Sequence, residues 1–153
     1  MTGGVFVDST TILYSQDRRD PKKQKRSTEW LKILLNSDRF TVSRQVLNEV
    51  YAVVRRKPEF AHWRADVRPF LVDQLAWTPP PAAGGEDMRE AWALEDRYRI
   101  DYWDALLLAA ANRADCAYFL SEDLNDGQRY GAVSVVNPFR HAPEDVLGRA
   151  ILR

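Results

Sequence analysis

The chain has 153 residues, 45% hydrophobic and 29% charged. That length suits one domain over residues 1–153, and the apolar share suffices for a packed core, which excludes a wholly disordered chain. The 22 basic and 22 acidic residues cancel, so the broad positive field of a nucleic-acid coat protein is absent and any such contact must come from a local patch.

Cys116 is the only cysteine. An intrachain disulfide and a cysteine zinc cluster are thereby excluded, and a reducing, cytoplasmic compartment fits. The longest apolar run, residues 105–111, falls far short of the ~20 residues a membrane span needs. The N-terminus has no basic start followed by a hydrophobic stretch, so neither a signal peptide nor membrane association is expected.

Val5-Phe6-Val7 stops abruptly at Asp8 and is followed by Ser9-Thr10-Thr11 and Ile12-Leu13-Tyr14. This reads as a buried strand feeding a helix capped by Asp8, Ser9 or Thr10. Residues 18–26 form a basic connection, after which Ser27-Thr28-Glu29 opens a helix carrying Trp30, Ile33 and Leu34. Phe40-Thr41-Val42 predicts a second short strand. Ser43 caps a helix whose apolar positions, Val46, Leu47, Val50, Tyr51, Val53 and Val54, keep helical spacing.

A further helix runs from Pro58 to about Leu75, and residues 75–77 hold a third, very short strand. Residues 78–85, rich in Pro and Gly, read as a surface crossover. Helices follow over 87–99 and 102–113, then strands over 117–120 and 133–136. This alternation predicts an α/β fold, three-layer α/β/α, with a central, mainly parallel sheet of four to five short strands. Ligands of such sheets bind beyond the carboxyl ends of the strands.

Four acids are candidates for that location. Asp8 and Asp123 stand just after strands, Glu49 lies on the core-facing stripe of its helix, and Asp104 precedes the apolar run of residues 105–111 among bulky neighbours. The ordinary uses are a helix cap for Asp8, a turn acid for Asp123, a dipole-matched first-turn acid for Asp104, and for Glu49 a salt bridge to Arg44 or Arg56. Converging instead on one point, four carboxylates would need a counter-charge, and hard divalent cations such as Mg2+ or Mn2+ suit carboxylate and water oxygens. Those ions activate water toward a phosphodiester.

The motifs themselves resemble a family. Val5-Phe6-Val7-Asp8-Ser9-Thr10-Thr11-Ile12-Leu13 is similar to the opening motif of PIN-domain ribonucleases. Val42-Ser43-Arg44-Gln45-Val46-Leu47-Asn48-Glu49-Val50 is similar to the second, and Tyr102-Trp103-Asp104-Ala105-Leu106 to the third. Phe119-Leu120-Ser121-Glu122-Asp123, with Val136-Asn137-Pro138-Phe139 beyond it, resembles the closing segment.

The resemblance implies a catalytic pocket of Asp8, Glu49, Asp104 and Asp123. Asp8 and Asp104 would ligate Mg2+ (or Mn2+), with Glu49 and Asp123 as further ligands. Ser9 and Ser121 would be supporting hydroxyls. Asp126, three residues past Asp123, could share or replace its role, and Asp101 stands three before Asp104.

In the VapC-type branch, the resemblance further implies RNA cleavage by the toxin of a type II toxin–antitoxin pair. Such a toxin forms a homodimer and is silenced by a small antitoxin. Trp30 and Tyr51 are expected near the surface as part of the docking face. Residues 18–26 carry six basic side chains against one acidic, and Arg18, Arg19, Lys22, Lys23, Lys25 and Arg26 are candidate contacts to the RNA backbone.

Other readings are a non-toxin RNA-processing nuclease and a non-catalytic nucleic-acid-binding module. A phosphorelay receiver lacks its Lys, since none follows Lys57, and an aspartyl-nucleophile phosphatase lacks its Asp-x-Asp. His62 and His141 have no partner at ligand spacing and read as packing or surface residues. The five Trp read mostly as core, with Trp77 a candidate base platform.

Overall fold

The buried triplet Val5–Val7 forms β1, with both faces covered, and the rest of the architecture is arranged around it. The computed structural model describes residues 3–80 and 82–148. Ser9–Tyr14 (α1) and Pro21–Asn36 (α2) follow, then Phe40–Thr41 (β2), Arg44–Arg56 (α3), and a 3-10 turn at Pro58–Trp63 leading into Arg64–Gln74 (α4). Glu86–Tyr98 (α5) and Tyr102–Arg113 (α6) pack on one another. Tyr118–Leu120 (β3), Arg129–Tyr130 (β4), Val133–Val136 (β5) and Pro143–Leu147 (α7) complete the described chain.

Among the described residues five strands make one sheet in the order β2-β1-β3-β5-β4. All pairings are parallel except β4 with β5. The fold is three-layer α/β/α. Phe6 stacks on Phe119 across the β1–β3 ladder, ring centroids 5.2 Å apart. Ala91, Ala105 and Ala109 let α5 and α6 approach closely in a small cluster of their own. Cys116 is buried, and burial pushes its thiol up to about 11.

Several elements depart from the sequence expectation. α2 begins at Pro21, within the stretch read as a connection, because Asp20 caps it and Pro21 supplies a pre-set first helical position. The Ser27 hydroxyl turns back to the carbonyls of Lys23 and Gln24 instead of capping a new start. Residues 75–77 form a 3-10 turn, not a strand, closed by the Thr78 N–H and hydroxyl donating to the Leu75 carbonyl. Pro81, within the predicted crossover, lies outside the described residues.

β4 has no counterpart in the sequence expectation. It exists as the first arm of a hairpin turning at Gly131, whose φ is +65°. Asn112 of α6 clips that hairpin, donating to the Tyr130 carbonyl and accepting from the Ala132 N–H. A Cβ at position 131 would lie 2.6 Å from the Asn112 Oδ1, so the glycine is required by proximity as well as by φ.

Trp30 is wholly buried, its indole N–H donating to the Pro138 and His141 carbonyls. That corrects its placement at the surface. Tyr51 is half-buried, and its hydroxyl accepts from Arg68. Trp92 and Trp103 are instead the exposed tryptophans, because the helix face turned to solvent is chosen by packing and not by the aromatic residue itself. Trp77 is half-buried against the core. No described helix is long and apolar enough to cross a membrane.

Candidate active site

The chain leaves β1 for β2 on one side and reaches β3 on the other, so the β1/β3 boundary is the switch in strand order. Asp8 follows the last residue of β1, and the Ser121–Asp123 segment follows β3. α3 and α6 bring Glu49 and Asp104.

Asp8 is the N-cap of α1 in extended geometry, and its Oδ1 accepts from the Thr11 N–H at 3.0 Å and the Thr11 hydroxyl at 2.6 Å. It is 8% exposed. Burial pushes its carboxyl up to about 7, the charges of Asp123 and Glu122 add to the rise, and the Thr11 bonds oppose it. Asp104 is half-buried in the first turn of α6. Burial raises its carboxyl above the usual range, followed by the charges of Asp101, Asp123 and Glu49.

The negative fields of these acids therefore overlap, with Asp123 acting on both Asp8 and Asp104. Glu49 pairs with neither Arg44 nor Arg56. Its Oε2 accepts from the Ser9 hydroxyl at 3.0 Å and its Oε1 from the Gln45 amide at 3.2 Å. Ser9 thus touches a site carboxylate directly. Ser121, buried, serves differently from the expectation: its Oγ accepts from the backbone N–H groups of Asp123 and Leu124 and shapes the turn on which Asp123 stands.

Asp126 is drawn elsewhere. Its Oδ1 accepts from the Asn137 N–H at 2.9 Å and its Oδ2 meets His141 Nε2 at 2.7 Å. Burial works against ionisation there, but these two partners hold the carboxyl below its usual value. Asp101 caps α6 through the Trp103 N–H. His62 is half-buried in the 3-10 turn before α4.

The basic segment divides. Arg19 pairs with Asp17 and Glu59, Lys23 with Glu122, and Arg26 with Glu29. Arg18, Lys22 and Lys25 are exposed and make no ion pair among the described residues. Lys22, Lys23, Lys25, Arg26 and Phe139, with the acids Asp20 and Glu29, line a groove of about 510 Å³ along α2.

Thr11 and Gln45 join the site without having been candidates from the sequence. Their spacing was the available signal, since Thr11 stands three residues after its cap and Gln45 one helical turn before Glu49.

No Lys, Arg or His among the described residues pairs with Asp8, Glu49, Asp104 or Asp123. Nor do any three acids, His or Cys among them close a ready-made cation cage. An all-oxygen donor set with no cation paired to it among the described residues suits a hard divalent cation, above all Mg2+, which keeps several waters and takes one or two carboxylates. Comparison with known protein families matches residues 5–129 to the one described as PIN domain. No curated protein matches the chain.

Proposed function

The chain belongs to the PIN-domain family, a nuclease fold generally dependent on metal, and from that premise we propose that it hydrolyses RNA phosphodiester bonds with Mg2+ or Mn2+. The observation that carries this reading is the pair Asp8, buried after β1, and Asp104, half-buried in the first turn of α6, which share the field of Asp123 with no cationic side chain among the described residues paired to them.

In this reading Asp8 and Asp104 hold the cation, and Asp123 completes the negative pocket. When bound, the cation neutralises phosphate charge and lowers the pKa of a water. Thr11 would fix the Asp8 carboxylate through its N–H and hydroxyl. Glu49, its two oxygens steadied by Ser9 and Gln45, orients the attacking water and accepts its proton. Purified protein should cleave end-labelled RNA with Mn2+ and not with EDTA, and should leave DNA of the same sequence intact. Cleavage that persists in EDTA would overturn the assignment.

The resemblance to VapC-type proteins supports a narrower role, the cytoplasmic toxin of a type II toxin–antitoxin pair, working as a homodimer and silenced by a small antitoxin. Trp30 is buried and takes no part in docking. Met88 and Trp92 on α5 are exposed and better suited to a partner.

An acidic site repels a polyanion, and the exposed cations on α2 and in the turn before it offset that. Arg18, Lys22 and Lys25 replaced together by Gln should weaken RNA binding and lower the log–log salt slope by about 2, at roughly 0.7 per phosphate on a single strand. Mn2+ affinity should stay unchanged. Binding isotherms at several salt concentrations read both, and an unaltered slope would place the RNA elsewhere.

A further inference from the structure

Lys23 belongs by sequence to the basic run, yet it turns inward. Its ammonium donates to Glu122 Oε2 at 2.7 Å and to the Tyr14 hydroxyl at 3.4 Å. It lies 4.6 Å from the centroid of Tyr14 and 5.0 Å from that of Phe139. Those rings meet edge to face at 5.2 Å. Four parts of the chain thus converge on one ammonium: α1 through Tyr14, α2 through Lys23, the turn after β3 through Glu122, and the segment after β5 through Phe139.

An exposed ion pair contributes little, but this one is largely covered, with 32% of the Lys23 side chain and 21% of the Glu122 side chain accessible, and aromatic faces add cation–π attraction. Glu122 stands between Ser121 and Asp123. Ser121 sets the local shape of the turn, and the backbone fixes its root, with Leu120 paired to Val7 of β1 and the Ser121 N–H donating to the Val136 carbonyl; beyond that root these bonds do not reach the α1–α2 layer. At its far end the loop is tied by Asp126 to Asn137 and His141. At its near end the one side-chain tie across to the α1–α2 layer, among the described residues, is Lys23 to Glu122.

We propose that Lys23 is a positioning residue: through Glu122 it seats the Ser121–Asp123 turn against α1 and α2, and so holds Asp123 in register with Asp8 and Asp104. The inference rests on the reading of those three acids as the cation site. It removes Lys23 from the set of RNA-backbone contacts.

The test is Mn2+ titration followed by electron paramagnetic resonance, with cleavage kinetics on a labelled RNA, for wild type, Lys23→Met, Glu122→Gln and the double variant. Both single variants should weaken Mn2+ binding, each by about tenfold or more, the usual effect of losing a partner that orients a ligand. The double variant should be no worse than either, because one interaction is lost in each case. kcat should fall while KM and the salt slope hold, and Lys23→Arg should recover part of the loss.

Opposite signs would overturn the inference: if Lys23 and Glu122 act only as charges, Lys23→Met tightens Mn2+ and Glu122→Gln weakens it. A raised KM with a flatter salt slope and unchanged Mn2+ affinity would return Lys23 to the RNA surface and equally overturn it. Should Lys23→Met fail to fold, Lys23→Gln, equally uncharged but with a polar end, replaces it: weaker Mn2+ binding supports the inference and tighter binding overturns it. A folded wild type that binds no Mn2+ would overturn the reading of the acid site, and this inference with it.

Discussion

Asp104→Asn should leave no more than about a thousandth of the wild-type cleavage rate at saturating Mn2+, with an unchanged circular dichroism spectrum. The substitution keeps the shape of a first-turn residue of α6 and removes one ligand charge. Charge stabilisation by a metal supplies several kcal/mol to a transition state, and each 1.36 kcal/mol is about tenfold in rate. The lost dipole interaction at the helix start costs only about 0.3–1 kcal/mol, too little to unfold the chain. Asp123→Asn should behave alike, whereas Asp126→Asn should cut at close to the wild-type rate, because that carboxylate is engaged with Asn137 and His141. Asp104→Asn retaining a tenth of wild-type activity would sink the assignment.

Asp8→Asn should abolish cleavage and yet stabilise the metal-free protein. In the folded state burial holds this carboxyl at about 7 rather than 3.8. Between about pH 4 and pH 7 the unfolded chain has released the proton and the folded chain keeps it. Stability from this group is therefore complete below about 4, declines as pH rises through the window, and is gone above about 7. Each pH unit across that window removes about 1.4 kcal/mol, so the deficit at pH 8 amounts to a few kcal/mol at most. Asn keeps the oxygen that accepts from Thr11 and carries no charge.

In EDTA, the variant should exceed wild type in Tm by several degrees at pH 8, at about 2–4 °C for each kcal/mol. The two should converge near pH 4.5. Added Mn2+ should reverse the order at pH 8, since only wild type gains from binding. Melting curves that run parallel across pH in EDTA would show that Asp8 is not held protonated by the fold.

The parts of the fold written in short-range signals were legible in the sequence. Asp8 and Ser43 each cap a helix through an N–H three residues on, and that spacing can be read directly. Asp8 and Asp123 at strand ends, and Glu49 on the apolar stripe of α3, followed from periodicity. What was misread needed the third dimension. Two start signals competed for α2, Asp20-Pro21 and Ser27-Thr28-Glu29, and the first prevailed because Ser27 faces the core, where its hydroxyl is better satisfied by carbonyls of the preceding turn. β4 is two residues long and has no pattern to show; it depends on its partner strand and on Asn112. The Ser9–Glu49 bond joins residues 40 apart, and Lys23–Glu122 joins residues 99 apart. No local rule reaches such pairs, which is why the Glu122 partner of a lysine in a basic run was not legible.

The sheet order also constrains how the molecule is made. β1 is made before the other described strands but takes an interior place, bonded to β2 on one edge and to β3 on the other. β2 ends at Thr41 and β3 begins at Tyr118. At roughly 5–20 residues per second of synthesis, β1 waits about 4–15 s with one edge bare. Through that interval the nascent chain exposes an apolar strand to neighbours, and Asp8 has no Asp104 or Asp123 beside it. A ribosome-bound fragment ending before β3 therefore carries no competent acid cluster and is the species most open to aggregation. Asp123 is made 115 residues after Asp8, so the acids can meet only once β3 has joined the sheet.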